Sequence, residues 1–295
     1  MDITSIRGVI PAVVTPFDPN FNIDYGEYSR TLLLLENAGV HGLFIVGNAG
    51  EFYALTEEEK KKLLKTTCDT IAGRLPIFFG SGAASTREAI RLTELAEAEG
   101  ASAVSVITPW LIKAREDELF NHYRAICEST RLPVIVYNNP VVTGNTISPS
   151  LMRRLSEIDN IAGIKDSCGD LAITLEFLQI QRKGFKVLAG RDGLILSTLL
   201  HGGAGAISSI ASACPELVVS IYDAFMKGDL KRANEQQFKL AELRQLFQLG
   251  TFPSVVKAAL EFRGIKAGNP RPPVAPLSSS NRKLLESTLA GILNG

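Results

Sequence analysis

Hydrophobic and β-branched residues occur in short runs that recur along the whole chain. Each run is followed by a polar or glycine-rich turn and then by a segment with apolar residues at helical spacing. The runs are almost continuously apolar, which is typical of parallel strands that are covered on both faces. Eight strands are therefore predicted, at residues 9–14, 41–46, 76–79, 103–107, 133–136, 161–164, 185–189 and 205–208.

The segments between these runs have the periodicity of amphipathic helices. Two apolar stripes of this kind are Leu63, Leu64, Thr67 and Ile71, and Ala89, Leu92, Leu95 and Ala96. Capping boxes are expected where Thr56 precedes Glu59 and where Ser85 precedes Glu88. The glycines expected to end helices are Gly39, Gly73 and Gly100.

Eight strands that alternate with helices predict an α/β fold, a (β/α)8 or TIM barrel. An open doubly wound sheet would favour a G-x-G-x-x-G turn after the first strand. That turn is absent here, since Thr15-Pro16-Phe17-Asp18 follows the first strand. The residues after the eighth strand are too many for one helix, and further helices are predicted at 215–226, 230–249, 253–263 and 278–293. We expect one domain, with the barrel over residues 1–225 and a C-terminal helical extension over 226–295.

The composition is that of an ordinary globular protein, with 45% hydrophobic and 21% charged residues. The formal net charge is zero, so no basic field is expected to bind nucleic acid or a membrane surface. The N-terminal residues lack the pattern of a signal peptide, and the four cysteines have no C-x-x-C spacing. A cytoplasmic protein with reduced thiols is expected. The three histidines are isolated, and we expect neither a metal nor another cofactor.

Lys165 is the unusual residue among those at the strand ends, where barrel enzymes carry their chemistry. It ends an apolar run and shares a strand face with Gly163, which is expected to leave space beside the lysine stem. Burial disfavours a charged amine, and a neutral amine can attack a ketone to form an imine. On position alone, an ion pair of Lys165 with an acid explains it equally well.

Two further strand ends carry candidate groups. Tyr137 ends the fifth strand, where a phenol can act as general acid and base on a group bound to the sixth. A tyrosine that makes one structural hydrogen bond at the rim is the alternative. The turn from Gly47 to Glu51 could present backbone N–H groups to a carboxylate.

At these positions the chain resembles the dihydrodipicolinate synthase / N-acetylneuraminate lyase family of Schiff-base aldolases. The resemblance covers nearly the whole length. The motifs that carry it are the G-x-x-G-E turn from Gly47 to Glu51, Y-N-x-P from Tyr137 to Pro140, G-I-K-D with Lys165, Gly190, and the strand Gly205-Ala206-Ile207-Ser208.

The resemblance implies a barrel that is usually a homotetramer, with Lys165 as the Schiff-base residue and Tyr137 as the acid and base. It also implies that a 2-oxo acid, most often pyruvate, binds with its carboxylate at Asn48 and Ala49. The other substrate-binding positions that it implies are Gly47, Gly190 and Ile207.

Three departures from the family's pattern concern the second substrate. The lysine-pathway synthases carry two threonines where this chain has Asn48-Ala49, and an arginine where Val141-Val142-Thr143 stands. The tyrosine that a neighbouring subunit contributes is replaced within Pro109-Trp110-Leu111. The segment 165–170 is similar to branches that act on 2-oxo-3-deoxy sugar acids and on 4-hydroxy-2-oxoglutarate.

The predicted function is therefore aldol cleavage of such an acid to pyruvate or glyoxylate and an aldehyde. One alternative is 4-hydroxy-tetrahydrodipicolinate synthase, which joins pyruvate and aspartate semialdehyde. Others are a dehydratase of 2-oxo-3-deoxy acids, a non-catalytic oxo-acid-binding barrel, and an enzyme with a phosphate cup at Gly190–Gly193 and Gly202–Gly205. Arg191, Trp110 and Cys168 lie near the predicted site, with roles that the sequence leaves open.

Overall fold

The computed structural model describes residues 6–294. Within them, eight parallel strands form one sheet in the order β1-β8-β7-β6-β5-β4-β3-β2. The strands are β1 (Gly8–Pro11), β2 (Leu43–Ile45), β3 (Ile77–Gly80), β4 (Ala103–Ile107), β5 (Val134–Asn138), β6 (Ile161–Asp166), β7 (Lys186–Ala189) and β8 (Gly205–Ser208). Hydrogen bonds of 2.8 Å from His41 N to Val9 O and from Val13 N to Phe44 O bring the first two strands together. The sheet is therefore a barrel, and the predicted fold class is confirmed.

Helices surround the barrel and extend it at the C-terminus. They are α1 (Tyr25–Asn37), α2 (Glu57–Ile71), α3 (Thr86–Ala98), α4 (Glu116–Glu128), α5 (Pro140–Thr143), α6 (Pro149–Ser156), α7 (Leu171–Leu178), α8 (Ile195–Leu200), α9 (Pro215–Met226), α10 (Leu230–Gln245), α11 (Phe252–Phe262) and α12 (Ser279–Asn294). None of the helices within residues 6–294 is long and apolar enough to span a membrane.

The predicted helix caps are confirmed with one correction. The capping box of Thr56 and Glu59 is complete. Ser85 accepts a hydrogen bond from the backbone N–H of Glu88, but the Glu88 side chain pairs with Arg91 instead of closing the second box. The nearby arginine offers the carboxylate a charge-assisted hydrogen bond, which is stronger than one to a neutral N–H.

The C-terminal helices pack at the end of the barrel where the strands have their C-termini. Helix α10 packs on α9 and on the turn after β7, and α11 packs on the turn after β2. Both turns leave the C-terminal ends of their strands, where a barrel carries its site. The predicted extension therefore supplies side chains to the mouth of the barrel.

Gly163 allows β6 to lie close to β7. An added Cβ at this position would lie 2.0 Å from the backbone oxygen of Lys186. The expectation that Gly163 makes room for the Lys165 stem is wrong, because the atoms nearest to that space belong to the backbone of the neighbouring strand.

We expect Gly163→Ala to destabilise the protein by about 3 kcal/mol or more, since two paired backbones cannot separate locally. The midpoint of thermal unfolding should fall by roughly 5 °C or more. Gly291→Ala in α12 is the matched control, because an added Cβ there meets nothing within 4 Å. An equal midpoint for both variants would contradict this packing argument.

Candidate active site

Lys165 lies in the penultimate position of β6, and it is only 4% exposed. Its ammonium nitrogen lies 3.9 Å from the centroid of the Tyr137 ring and 4.8 Å from that of Phe44. Among the residues that the structure describes, no carboxylate oxygen lies within 4.0 Å of this nitrogen. The alternative that Lys165 serves as an ion-pair partner is therefore wrong, and the amine faces two aromatic rings.

Asp166 fastens the end of β6 beside the lysine. Its carboxylate accepts hydrogen bonds from Asn138 Nδ2 at 2.9 Å, Thr174 Oγ1 at 2.7 Å and the Cys168 N–H at 3.1 Å. These three donors satisfy a buried charge that would otherwise be costly. The Asp166 carboxylate therefore has a structural role and does not form an ion pair with Lys165.

Tyr137 stands directly beside Lys165 because β5 and β6 pair these two residues in register. The tyrosine is 5% exposed, and its hydroxyl accepts a hydrogen bond from Asn139 Nδ2 at 3.0 Å. The phenol keeps its own proton free for a second partner. The Tyr137 phenol and the Lys165 amine therefore lie next to each other at the mouth of the barrel. Imine formation needs an amine and a proton donor in this arrangement.

The C-terminal ends of the strands enclose a cavity of about 220 Å³. It is lined by Asn48, Tyr137, Asn139, Val141, Val142, Lys165, Ser167, Gly190, Arg191, Asp192, Ser209, Arg244 and Phe252. Of the site residues expected from the sequence, Lys165, Tyr137, Asn48 and Gly190 line this cavity. Gly47 lines a smaller adjoining cavity that shares Asn48 and Tyr137. Ala49 and Ile207 are buried, each 1% exposed, and neither lines these two cavities.

Ser167 is a site residue that the sequence analysis missed. It lies two positions after Lys165, so that strand alternation would have placed both on one face. Its hydroxyl is buried and has no hydrogen-bond partner among the described residues. A Cβ on Gly190 would lie 2.0 Å from this oxygen. Gly190 therefore makes room for a hydroxyl that is free to bind a ligand in the cavity.

Asp192 and two arginines form the wall on the side of β7. Burial raises the pKa of the Asp192 carboxyl, while the hydrogen bond from Ser208 at 2.5 Å, the charge of Arg244 at 3.9 Å and the more distant charge of Lys165 oppose that rise. Arg191 donates from Nε to the Ser167 carbonyl at 2.8 Å. Arg191 lines the cavity and so belongs to the site. Arg244 comes from α10, and no local sequence pattern indicates that it reaches the site.

The turn after β2 has an unusual backbone. Val46 and Glu51 adopt positive φ angles of 56° and 55°, which are uncommon for a β-branched or a long side chain. Between them, the backbone N–H groups of Asn48 and Ala49 have no acceptor outside the turn among residues 6–294. Successive unpaired N–H groups of this kind bind anions.

Cys168 and Trp110 lie next to the site without lining the main cavity. The Cys168 thiol donates to Asp166 Oδ2 at 3.2 Å, and burial raises its pKa to about 12. Such a thiol is a poor nucleophile. Trp110 packs edge-on against Phe52, with ring centroids 5.5 Å apart. Both residues support the walls of the site.

A buried lysine beside a tyrosine, at the C-terminal mouth of a (β/α)8 barrel, is an arrangement that suits the imine chemistry of class I aldolases. Residues 5–292 match the model of the Dihydrodipicolinate synthetase family. The chain belongs to this family of class I aldolases, which are lyases.

Two curated relatives are similar over almost the whole chain. The 4-hydroxy-tetrahydrodipicolinate synthase of Archaeoglobus fulgidus is 38% identical, over 97% of this chain and 98% of its own. An uncharacterized DapA-like lyase of Halobacterium salinarum is 36% identical, over 99% of this chain and 95% of its own. The name of the first relative supports the alternative function given above better than the predicted sugar-acid cleavage.

Solved structures have the same fold. YagE of E. coli, crystallised with pyruvate, has a TM-score of 0.94 and 32% identity, covering 98% of this chain and 99% of its own. A monomeric dihydrodipicolinate synthase variant has a TM-score of 0.95 and 32% identity, covering 98% of both chains. The family thus includes a protein that binds pyruvate and a variant without subunit contacts.

Proposed function

We propose that the protein forms a Schiff base between Lys165 and pyruvate and catalyses the reversible aldol cleavage of a 2-oxo-3-deoxy sugar acid. The observation that carries the imine chemistry is the burial of Lys165 without a carboxylate partner, beside the Tyr137 phenol. A neutral lysine amine is the nucleophile that attacks a ketone to form an imine.

The reaction follows from the groups at the mouth. The Lys165 amine attacks C2 of the 2-oxo acid, and loss of water, aided by a proton from Tyr137, gives the imine. Tyr137 then takes the proton of the C4 hydroxyl. The C3–C4 bond breaks, its electron pair enters the imine to form an enamine, and an aldehyde leaves. Protonation at C3 and hydrolysis release pyruvate and restore the lysine.

The carboxylate of the 2-oxo acid is assigned to the turn after β2. The unpaired N–H groups of Asn48 and Ala49 supply the hydrogen bonds, and their charge-assisted character makes them stronger than neutral ones. Ala49 takes part through its backbone, which agrees with its buried side chain.

The far half of the cavity favours a hydroxylated aldehyde. Hydroxyl, amide and carboxyl groups from Ser167, Ser209, Asn139 and Asp192 line it. Such groups donate to and accept from sugar hydroxyls. After Tyr137 the wall continues with Val141 and Val142, which are apolar and offer no charge to a carboxylate there.

A second candidate is 4-hydroxy-tetrahydrodipicolinate synthase. The name of the Archaeoglobus fulgidus relative favours it. Arg191 and Arg244 also line the cavity and could hold the carboxylate of aspartate semialdehyde from the other wall. The two candidates share Lys165 and Tyr137 and differ in the aldehyde and in the direction of the reaction.

An assay that follows pyruvate separates these candidates. Pyruvate release from 2-oxo-3-deoxygluconate, coupled to lactate dehydrogenase, is expected to be faster than pyruvate consumption with aspartate semialdehyde. The reverse order would establish the second candidate. An altered oxo acid formed without pyruvate would indicate a dehydratase, and binding without turnover would indicate a non-catalytic barrel.

Val142→Arg is expected to shift the preference toward aspartate semialdehyde. Val142 is 56% exposed, so the longer side chain can enter the cavity without disturbing the core. A charge-assisted pair contributes about 1.5–3 kcal/mol, which corresponds to roughly 10–150-fold in relative kcat/KM for the two aldehydes. Met226→Arg is the control, because it adds the same charge at a position that is 59% exposed and lines neither cavity. An unchanged ratio in Val142→Arg would contradict our assignment of this wall to the aldehyde.

A further inference from the structure

A buried ion pair connects the C-terminal extension to the turn after β2. Glu51 ends this turn and is completely buried, and Lys257 of α11 is 1% exposed. The Lys257 nitrogen lies 2.6 Å from Glu51 Oε1. The second Glu51 oxygen accepts the backbone N–H of Arg271 at 2.9 Å. Both carboxylate oxygens are therefore held by the part of the chain that follows the barrel.

The lysine is fixed from its other sides as well. Its nitrogen donates to the Asn269 carbonyl at 3.3 Å and lies 4.0 Å from the centroid of the Phe17 ring. Burial lowers the pKa of Lys257 to about 8, although the charge of Glu51 opposes that change. The cost of burying this charge is therefore not fully offset by its partner, and apolar residues of the same size would stabilise such a site as well. Stability alone gives no reason for a buried pair at this place.

The position of the pair gives a different reason for it. Glu51 has a φ angle of 55°, and its own N–H donates to the Asn48 carbonyl at 3.1 Å. The side chain therefore holds a strained residue that closes the turn on Asn48 and Ala49. A strained backbone persists only where its surroundings hold it. If the Glu51 side chain were released, the N–H groups of Asn48 and Ala49 could rotate and would no longer point at the same ligand.

We propose that Glu51 and Lys257 are positioning residues that aim the N–H groups of Asn48 and Ala49 at the carboxylate of the 2-oxo acid. The proposal rests on the proposed function, because it assumes that this carboxylate binds at the turn. It assigns to Lys257 of the C-terminal extension a part in substrate recognition: the Lys257–Glu51 pair holds the turn from behind, and neither side chain lines the cavity.

Two ketones separate positioning from general stability. Borohydride reduces the imine of pyruvate on Lys165, and it also reduces that of acetone, which has no carboxylate. The test variant is Glu51→Gln combined with Lys257→Met, which removes both charges and keeps the side chains close to their size. Lys61→Met is the matched control, since Lys61 forms an ion pair with Glu99 at 3.1 Å that is exposed to solvent.

In the double variant the pyruvate concentration for half-maximal trapping should rise about tenfold or more, as expected for loss of hydrogen bonds to a charged group. The value for acetone should stay within about twofold, because only the carboxylate contacts are lost. Lys61→Met should match the wild type with both ketones.

An equal change for the two ketones, or no change, would overturn the positioning role. If the double variant does not fold, Glu51→Asp provides the same comparison, because it keeps both charges and shortens the reach to Lys257. It should raise the pyruvate value selectively by a smaller factor, and a Glu51→Asp protein identical to the wild type would also overturn the proposal. Trapping of the wild type is measured first: a wild type that neither ketone labels contradicts the proposed function itself, whereas labelled variants with unaltered selectivity contradict only the role of the ion pair.

Discussion

Lys165→Met should abolish borohydride trapping of pyruvate and lower kcat/KM for cleavage by a factor on the order of 10⁴ or more, as removal of a covalent nucleophile does in other enzymes. Methionine has nearly the length of lysine without the amine, so the cavity keeps its shape. The measurement is pyruvate release at several substrate concentrations, together with the mass of the borohydride-treated protein.

The same variant should be as stable as the wild type or more stable. Lys165 is buried without a carboxylate partner, and an apolar residue removes the cost of desolvating the amine. Lys186→Met, at the opposite end of the neighbouring strand β7, is the control and should retain activity. Substantial activity in Lys165→Met, or equal losses in both variants, would show that Lys165 is not the nucleophile.

Tyr137→Phe should lower kcat about 10²–10⁴-fold, the range for loss of a general acid and base. The substitution removes only the hydroxyl, so the ring remains 3.9 Å from the Lys165 nitrogen and at its edge-on contact with Phe44. Pyruvate should still be trapped on Lys165, but more slowly, because the amine is intact and only the proton transfer is lost.

Tyr123→Phe is the matched control for the tyrosine. Its hydroxyl is also buried and donates to the Val106 carbonyl at 3.0 Å, on the outer side of the barrel. The free energy of unfolding of this control should fall by about 1 kcal/mol, and its activity should equal that of the wild type. If Tyr137→Phe kept the wild-type kcat, the proton would have to come from another group, and the hydroxyl of Ser167 would be the next candidate.

The barrel was predictable because its signal is local. Each strand is a run of buried residues, and seven of the eight strands begin within one residue of the predicted starts. The exception, Leu43–Ile45, starts two residues after position 41 and shows that the first residues of an apolar run need not pair. The fifth and sixth strands end later than predicted, because Asn138 and Asp166 remain paired at the mouth.

Asn138 and Asp166 explain why the predicted ends of the fifth and sixth strands came too early. Their side chains are buried and satisfy one another through the hydrogen bond from Asn138 Nδ2 to Asp166 Oδ1. A hydropathy pattern treats both as loop residues, since it contains no information about partners on another strand. The error in the strand ends therefore lies next to the candidate site, where polar side chains are buried and paired with each other.

The candidate site was predictable only in part, for the same reason. Lys165 and Tyr137 stand out because each ends an apolar run, and their meeting follows from the register of adjacent parallel strands. Arg244 and Lys257 come from the C-terminal helices, and their approach to Asp192 and Glu51 depends on contacts between segments far apart in sequence. No periodicity or spacing in the chain records such contacts.

The measurement that tests the account most directly is the trapping of pyruvate by borohydride, followed by peptide mass mapping. We predict a single reduced adduct, on the peptide that contains Lys165, and its loss in Lys165→Met. An active reagent that leaves Lys165 of the folded protein unmodified, or that labels another lysine in its place, would contradict the Schiff-base chemistry on which the proposed function depends.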